Sequence, residues 1–157
     1  MHQPSDRRLH GTVMQAYERA KSLDLTMVRR KLMDEQHGLG WGQEKTAEAE
    51  DLYLRFLALQ TASSSSTHKV VPPRVVDEFW HQHILDTRKY AADCESIFGE
   101  YLHHFPYFGM RGPEDERALQ ASCAWTRALF GEHFGTRVGR LVECSSCGSC
   151  SSCGRSG

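Results

Sequence analysis

The chain has 157 residues and a mass of 17.8 kDa, with 39% hydrophobic and 25% charged residues and a net charge of −1, which fits one globular domain with its own core. The near-neutral balance argues against a nucleic-acid or anionic-lipid partner, and no run of roughly 18 apolar residues is present to span a membrane. The N-terminal MHQPSDRRLHG lacks the apolar stretch of a secretory signal, so a reducing cytoplasm is expected, with the six cysteines as thiols or metal ligands.

The predicted elements are helical throughout, and no stretch alternates with strand period over a convincing length. Ser5 is placed to cap a first helix with Leu9, Val13, Ala16, Tyr17 and Ala20 at helical spacing. Asp24 caps a second, with Met27, Val28, Leu32 and Met33 inward, stopping at Gly38. The segment GLGWG reads as a turn anchored by Trp41. A third helix is expected over about 45–60, with a ridge of Ala49, Leu52, Tyr53, Phe56, Leu57 and Leu59. The Ser-rich run near 61–68 reads as a flexible surface loop.

Pro72-Pro73 sets up the next helix, with Pro73 near its first position. It carries Val76, Phe79, Trp80, His83 and Ile84, and Asp86-Thr87 marks a break or a re-cap before the region to Tyr101. His104-Phe105-Pro106 closes this helical stretch, because the residue before proline avoids the α region. After the loop PYFGMRG, Pro113 and the acids at 114–116 open a last helix bearing Leu119, Cys123, Trp125, Ala128 and Leu129. The fold expected is all-α: a compact bundle of five to six helices over residues 1–143, with a disordered Cys/Ser/Gly-rich tail over 144–157.

The stretch from Trp80 to Pro113 concentrates the chemistry. His81, His83, His103 and His104 are interleaved there with aromatic residues that seek burial, a pattern that points to a site for a metal or a small molecule. His81 and His83 lie two residues apart and so face opposite sides of a helix. On the His81 face stand Asp77, Glu78, Leu85 and Arg88. His83 and Asp86, at i,i+3, are spaced to reach one ion, as in Glu-x-x-His metal helices. A third ligand is sought in His103, His104, Asp93, Cys94 or His81. The alternative for His83 is a core histidine hydrogen-bonded to Asp86 or Tyr90, and for His104 a role in the turn. Cys94 and Cys123 read as small buried hydrophobes, while His2, His10, His37, His68 and His133 sit in surface contexts. The 105–113 loop either plugs the bundle end or lids a pocket, with Arg111 paired to Glu114 or Asp115.

In the tail, Cys144, Cys147, Cys150 and Cys153 repeat at strict intervals of three, a spacing that lets four thiolates wrap one soft metal such as Cu(I) or Zn(II). Structural zinc sites space their pairs more widely, so redox exchange or a plain flexible tail stays open.

The segment VDEFWHQHILDTRKYAADC resembles the glycine-rich domain-containing protein-like family, in which Trp-His-x-His precedes Tyr-x-x-Asp-Cys; here those are Trp80, His81, His83, Tyr90, Asp93 and Cys94. The tail from Cys144 is similar to that family's Gly/Cys repeats in a Ser-rich form. The resemblance covers residues 70–135 and the tail. It implies a helical domain and no established reaction, so no catalytic residue is transferred from it. The function expected is metal binding, with zinc, copper or iron held by His83, Asp86 and a second histidine (His81 or His103) and a soft metal on the tail cysteines. Two rival readings are a protein–protein interaction module using the 105–113 loop and a small metal-dependent enzyme acting on a peptide or natural product.

Overall fold

The computed structural model describes residues 4–135, and among these every regular element is helical. In chain order they are α1 (Pro4–Lys21), α2 (Thr26–Met33), α3 (Gln43–Leu59), a 3₁₀ helix (Gln60–Ser65), α4 (Arg74–Leu85), α5 (Thr87–Phe98) and α6 (Pro113–Phe134). No described helix is long and apolar enough to cross a membrane. The tail cysteines lie outside the described residues, as does the expectation of disorder over 144–157.

Helix α3 is the centre of the bundle, packing against α1, α2, α4 and α6. Its ridge of Ala49, Leu52, Tyr53, Phe56, Leu57 and Leu59 is buried, as the three- and four-residue spacing predicts. From α1 it receives Val13, Ala16 and Ala20, and from α4 Val76, Phe79 and Trp80. Each fully buried aromatic such as Phe56 or Phe79 contributes about 2–3 kcal/mol of apolar burial.

Helix α2 keeps Val28 and Leu32 in the core but leaves Met27 exposed, because two inward positions fill an eight-residue helix on one face. Its entrance is served by Asp24, whose carboxylate accepts the Thr26 N–H at 3.1 Å. The helix ends at Met33, before the predicted Gly38. The following turn is closed by the Asp34 carbonyl, which accepts from Gly38 N, and by the Leu32 carbonyl, which accepts from Trp41 N. Trp41 is buried as expected, with Lys45 Nζ 4.2 Å from its ring centre. Gly38 belongs in this turn for lack of space: a Cβ there would stand 1.6 Å from the Lys31 carbonyl oxygen.

Three further elements differ from expectation. The Ser-rich run continues α3 as a 3₁₀ helix through Ser65, because Ala62 is fully buried and the Thr61 hydroxyl donates to Ala58 O at 2.8 Å. The stretch after it crosses α6 as a strap, its backbone N–H groups of Lys69 and Val71 donating to Ser122 Oγ and Thr126 Oγ1. These bonds explain why two hydroxyl residues are buried on α6. Helix α5 stops at Phe98, well before Pro106, because Gly99 adopts φ 71° and ends it in the left-handed conformation. Finally, α6 buries Leu119, Cys123, Leu129, Phe130 and His133, whereas Ala128 faces solvent and Trp125 is half-buried.

Candidate metal centre

The predicted break at Asp86-Thr87 divides α4 from α5, so the His-rich stretch is two helices in contact. At that break the Asp86 N–H donates to the His83 carbonyl at 3.2 Å, while the His83 ring takes other partners. His83 is 1% exposed, and both ring nitrogens are engaged inside the protein. Nε2 lies 2.7 Å from Asp93 Oδ2, and Nδ1 lies 2.7 Å from the Tyr53 hydroxyl. Burial raises the Tyr53 hydroxyl well above its ordinary range, so it keeps its proton and donates to Nδ1. His83 then donates from Nε2–H to Asp93, whose carboxylate also pairs with Lys89 Nζ at 2.8 Å. Burial likewise pulls the His83 imidazole below the usual histidine range, partly offset by Asp93. His83 is thus a neutral histidine tying α4 to α3 and α5, through Tyr53 and Asp93 rather than the partners expected for a core histidine. Asp86 is exposed at the break, where its carbonyl accepts the Tyr90 N–H.

The opposite face of α4 is where ligand atoms converge. Asp77 and His81, at i,i+4, lie one above the other on the helix, and His104 reaches them from the segment after α5. Asp77 Oδ1, His81 Nε2 and His104 Nε2 lie within 4.8 Å of one another. The separate distances are 2.8 Å for His104 to Asp77, 3.0 Å for His104 to His81 and 3.6 Å for His81 to Asp77. Donor atoms around a tetrahedral zinc stand about 3.3 Å apart, in the middle of that range. A neutral imidazole nitrogen carries either one proton or one lone pair. His104 Nε2 can therefore donate to Asp77 or accept from His81, but not both, whereas a cation between the three satisfies all of them.

The segment carrying His104 is held by a relay from the core. Trp80 Nε1–H donates to the Tyr90 hydroxyl at 2.9 Å, and that hydroxyl donates to the Leu102 carbonyl at 2.6 Å. Trp80 also stacks on the His104 ring at 4.3 Å between centres. The Gly99 turn brings the chain back to α4, and these contacts set the depth at which His104 arrives. His103, next in sequence, is exposed and lies against Tyr101 instead.

All three ligand residues line a cleft of about 600 Å³ between α4, the strap and the 103–108 segment, within the range of ligand sites. Phe105 and Phe108 form part of its wall. The loop beyond is pinned by Asp115, which accepts from the backbone N–H groups of Gly109 and Arg111 and pairs with the Arg111 guanidinium, as one of the predicted pairings had it. That pairing holds the Asp115 carboxyl at about 2.

Of the expected ligands, the structure places His81 and His104, one of the candidates for a third ligand, in this cluster; His83, Asp86 and His103 are not part of it. Asp77, read from the sequence only as a neighbour on the His81 face, is the ligand gained. The i,i+4 pairing of Asp77 with His81 was readable on one helix face, but the return of His104 depends on a turn at Gly99 that periodicity does not show. A second histidine pair, His10 and His133, lies at the seam of α1 and α6 with the Nδ1 atoms 3.0 Å apart. His133, expected at the surface, is 6% exposed.

No curated protein and no solved structure matches the chain. The profile of the UCP032817-like family matches residues 12–135, a span that holds Asp77, His81, His104 and the cleft around them. That match carries no description of a glycine-rich domain and bears on the resemblance only as membership of a family. By a match over most of its length, the chain belongs to the UCP032817-like family.

Proposed function

We propose that the protein binds a transition metal ion on Asp77, His81 and His104, leaving coordination positions open towards the cleft. The observation that carries this reading is the convergence of the three ligand atoms on one point at the cleft wall. Two imidazoles and one carboxylate are a borderline donor set that suits zinc, iron(II) or copper and is too nitrogen-rich for calcium or magnesium. Three protein ligands with an open position is the arrangement of catalytic rather than structural metal sites. Such an ion acts as a Lewis acid towards a ligand in the cleft. A small metal-dependent enzyme therefore fits this geometry better than a metal store.

The test is metal analysis of tag-free protein purified under reducing conditions, full-length and ending at Glu143. The expected result is about one equivalent in the shortened chain, lost in Asp77→Asn and in His104→Ala and retained in Asp86→Ala. Metal present only with the tail, or retained in both triad variants, would overturn the reading.

A second reading, recognition of a protein partner by the 105–113 loop, is favoured by one observation. Phe105, Tyr107 and Met110 are 46%, 58% and 74% exposed on neighbouring positions of that loop. Under it, Tyr107→Ser with Met110→Ser abolishes partner capture and leaves metal content unchanged.

A further inference from the structure

Among the described residues that line the cleft, Asp77 is the one carboxylate and Lys69 the one lysine, with the histidines 68, 81, 103 and 104 beside them. An ion on the triad makes the pocket positive, because one carboxylate cannot balance a divalent charge and Lys69 together.

Lys69 is the fixed cation of the cleft. Its backbone is held by the bond to Ser122 and its neighbour Val71 by the bond to Thr126, so the strap sets where the side chain starts. Its ammonium stands 5.6 Å from the Phe105 ring centre and 5.4 Å from that of Phe108. No described carboxylate pairs with it. Two aromatic faces hold an ammonium by its charge while leaving its N–H donors unspent, since a ring face competes weakly with an oxyanion for them.

We infer that the cleft binds a small organic oxyanion, its charged group paired with Lys69 and its apolar body laid along the Phe105–Phe108 wall. A second oxygen of the same molecule completes the coordination of the ion; this part of the inference rests on the metal reading above, whereas the Lys69 anchor does not. Carboxylates and phosphate monoesters share this chemistry, and an ammonium, unlike a guanidinium fork, does not choose between them by shape.

The test titrates the full-length protein at low ionic strength with benzoate, phenyl phosphate and neutral benzamide, following binding by calorimetry, metal-free and with one equivalent of zinc. Wild type is compared with Lys69→Gln and His104→Ala. The expected result is at least tenfold preference for the oxyanions over benzamide, a further gain with zinc in wild type and not in His104→Ala, and about tenfold loss in Lys69→Gln at unchanged zinc content and melting temperature. Whichever oxyanion binds more tightly identifies the ligand's charged group. Equal binding of benzamide, or a Lys69→Gln variant that binds like wild type, would overturn the inference even if zinc is bound. A Lys69-dependent preference that persists with no zinc bound at the triad would instead retain the oxyanion site and remove the metal from it.

Discussion

His83 and His104 belong to the same short histidine-rich stretch, yet their surroundings assign them opposite parts. His83 has Tyr53 on one nitrogen and Asp93 on the other, so removing its ring leaves the buried Tyr53 hydroxyl without its partner and Asp93 with Lys89 alone. His83→Ala is expected to lower unfolding free energy by about 3 kcal/mol, measured by urea denaturation, with metal content unchanged in the folded fraction. His104→Ala should do the reverse, losing the metal with a small change in the stability of the metal-free protein. His133 sets a pH dependence of its own. Burial holds its imidazole below the usual histidine range, His10 beside it acts in the same sense, and Glu132 opposes them. Between the folded and unfolded values the unfolded chain binds more protons. The stabilisation is therefore complete above about pH 6.5 and is lost as pH falls through the folded value. Urea midpoints measured between pH 7.5 and pH 5 should fall with acid, and His133→Phe should flatten that fall.

Among the elements, the segment after α5 is the one on which the site depends, since it delivers His104 without regular structure of its own. Its anchor is the Tyr90 hydroxyl, which links Trp80 on α4 to the Leu102 carbonyl. Tyr90→Phe keeps the ring and removes that link. The expected outcome is a loss of metal affinity of about 10- to 100-fold, read by competition with a chromophoric chelator, while the helical circular dichroism is retained. A different connection tests packing alone. Gly38→Ala forces a methyl against the Lys31 carbonyl, 1.6 Å from where its Cβ would be built, and backbone on both sides has little room to yield. A loss of about 3 kcal/mol is expected in thermal or urea unfolding, with the metal centre, which lies on other elements, unaffected in protein that folds.

For the whole molecule, the proposed metal centre joins pieces distant in sequence, α4 and the return segment, so an ion held there would bind the folded state and not the unfolded one. Zinc at about one hundred times its dissociation constant should therefore stabilise the fold by about 2.7 kcal/mol. A zinc-dependent rise in melting temperature in wild type that is absent in Asp77→Asn would show that coupling. The helical class and its buried ridges were legible because periodicity alone decides which face of a helix is apolar: Ala49, Tyr53, Phe56 and Phe79 all went where their spacing put them. The break at Asp86-Thr87 and the burial of Trp41 were legible for similar local reasons. The Ser-rich 3₁₀ helix was not, since it packs on α1, a helix distant in sequence, with Ala62 buried.

The sequence by itself determined an all-α bundle and a ligand-bearing stretch around Trp80–Pro113, because helix periodicity and local composition are properties of neighbouring residues. It also placed Asp77 and His81 on one face of one helix. Only the tertiary structure decided that His104 joins them, that His83 is held by Tyr53 and Asp93, and that Lys69 shares the cleft. The physical reason is that each of these pairings closes between elements separated by a turn or by another helix. Which groups meet there is set by packing geometry, and not by spacing along the chain.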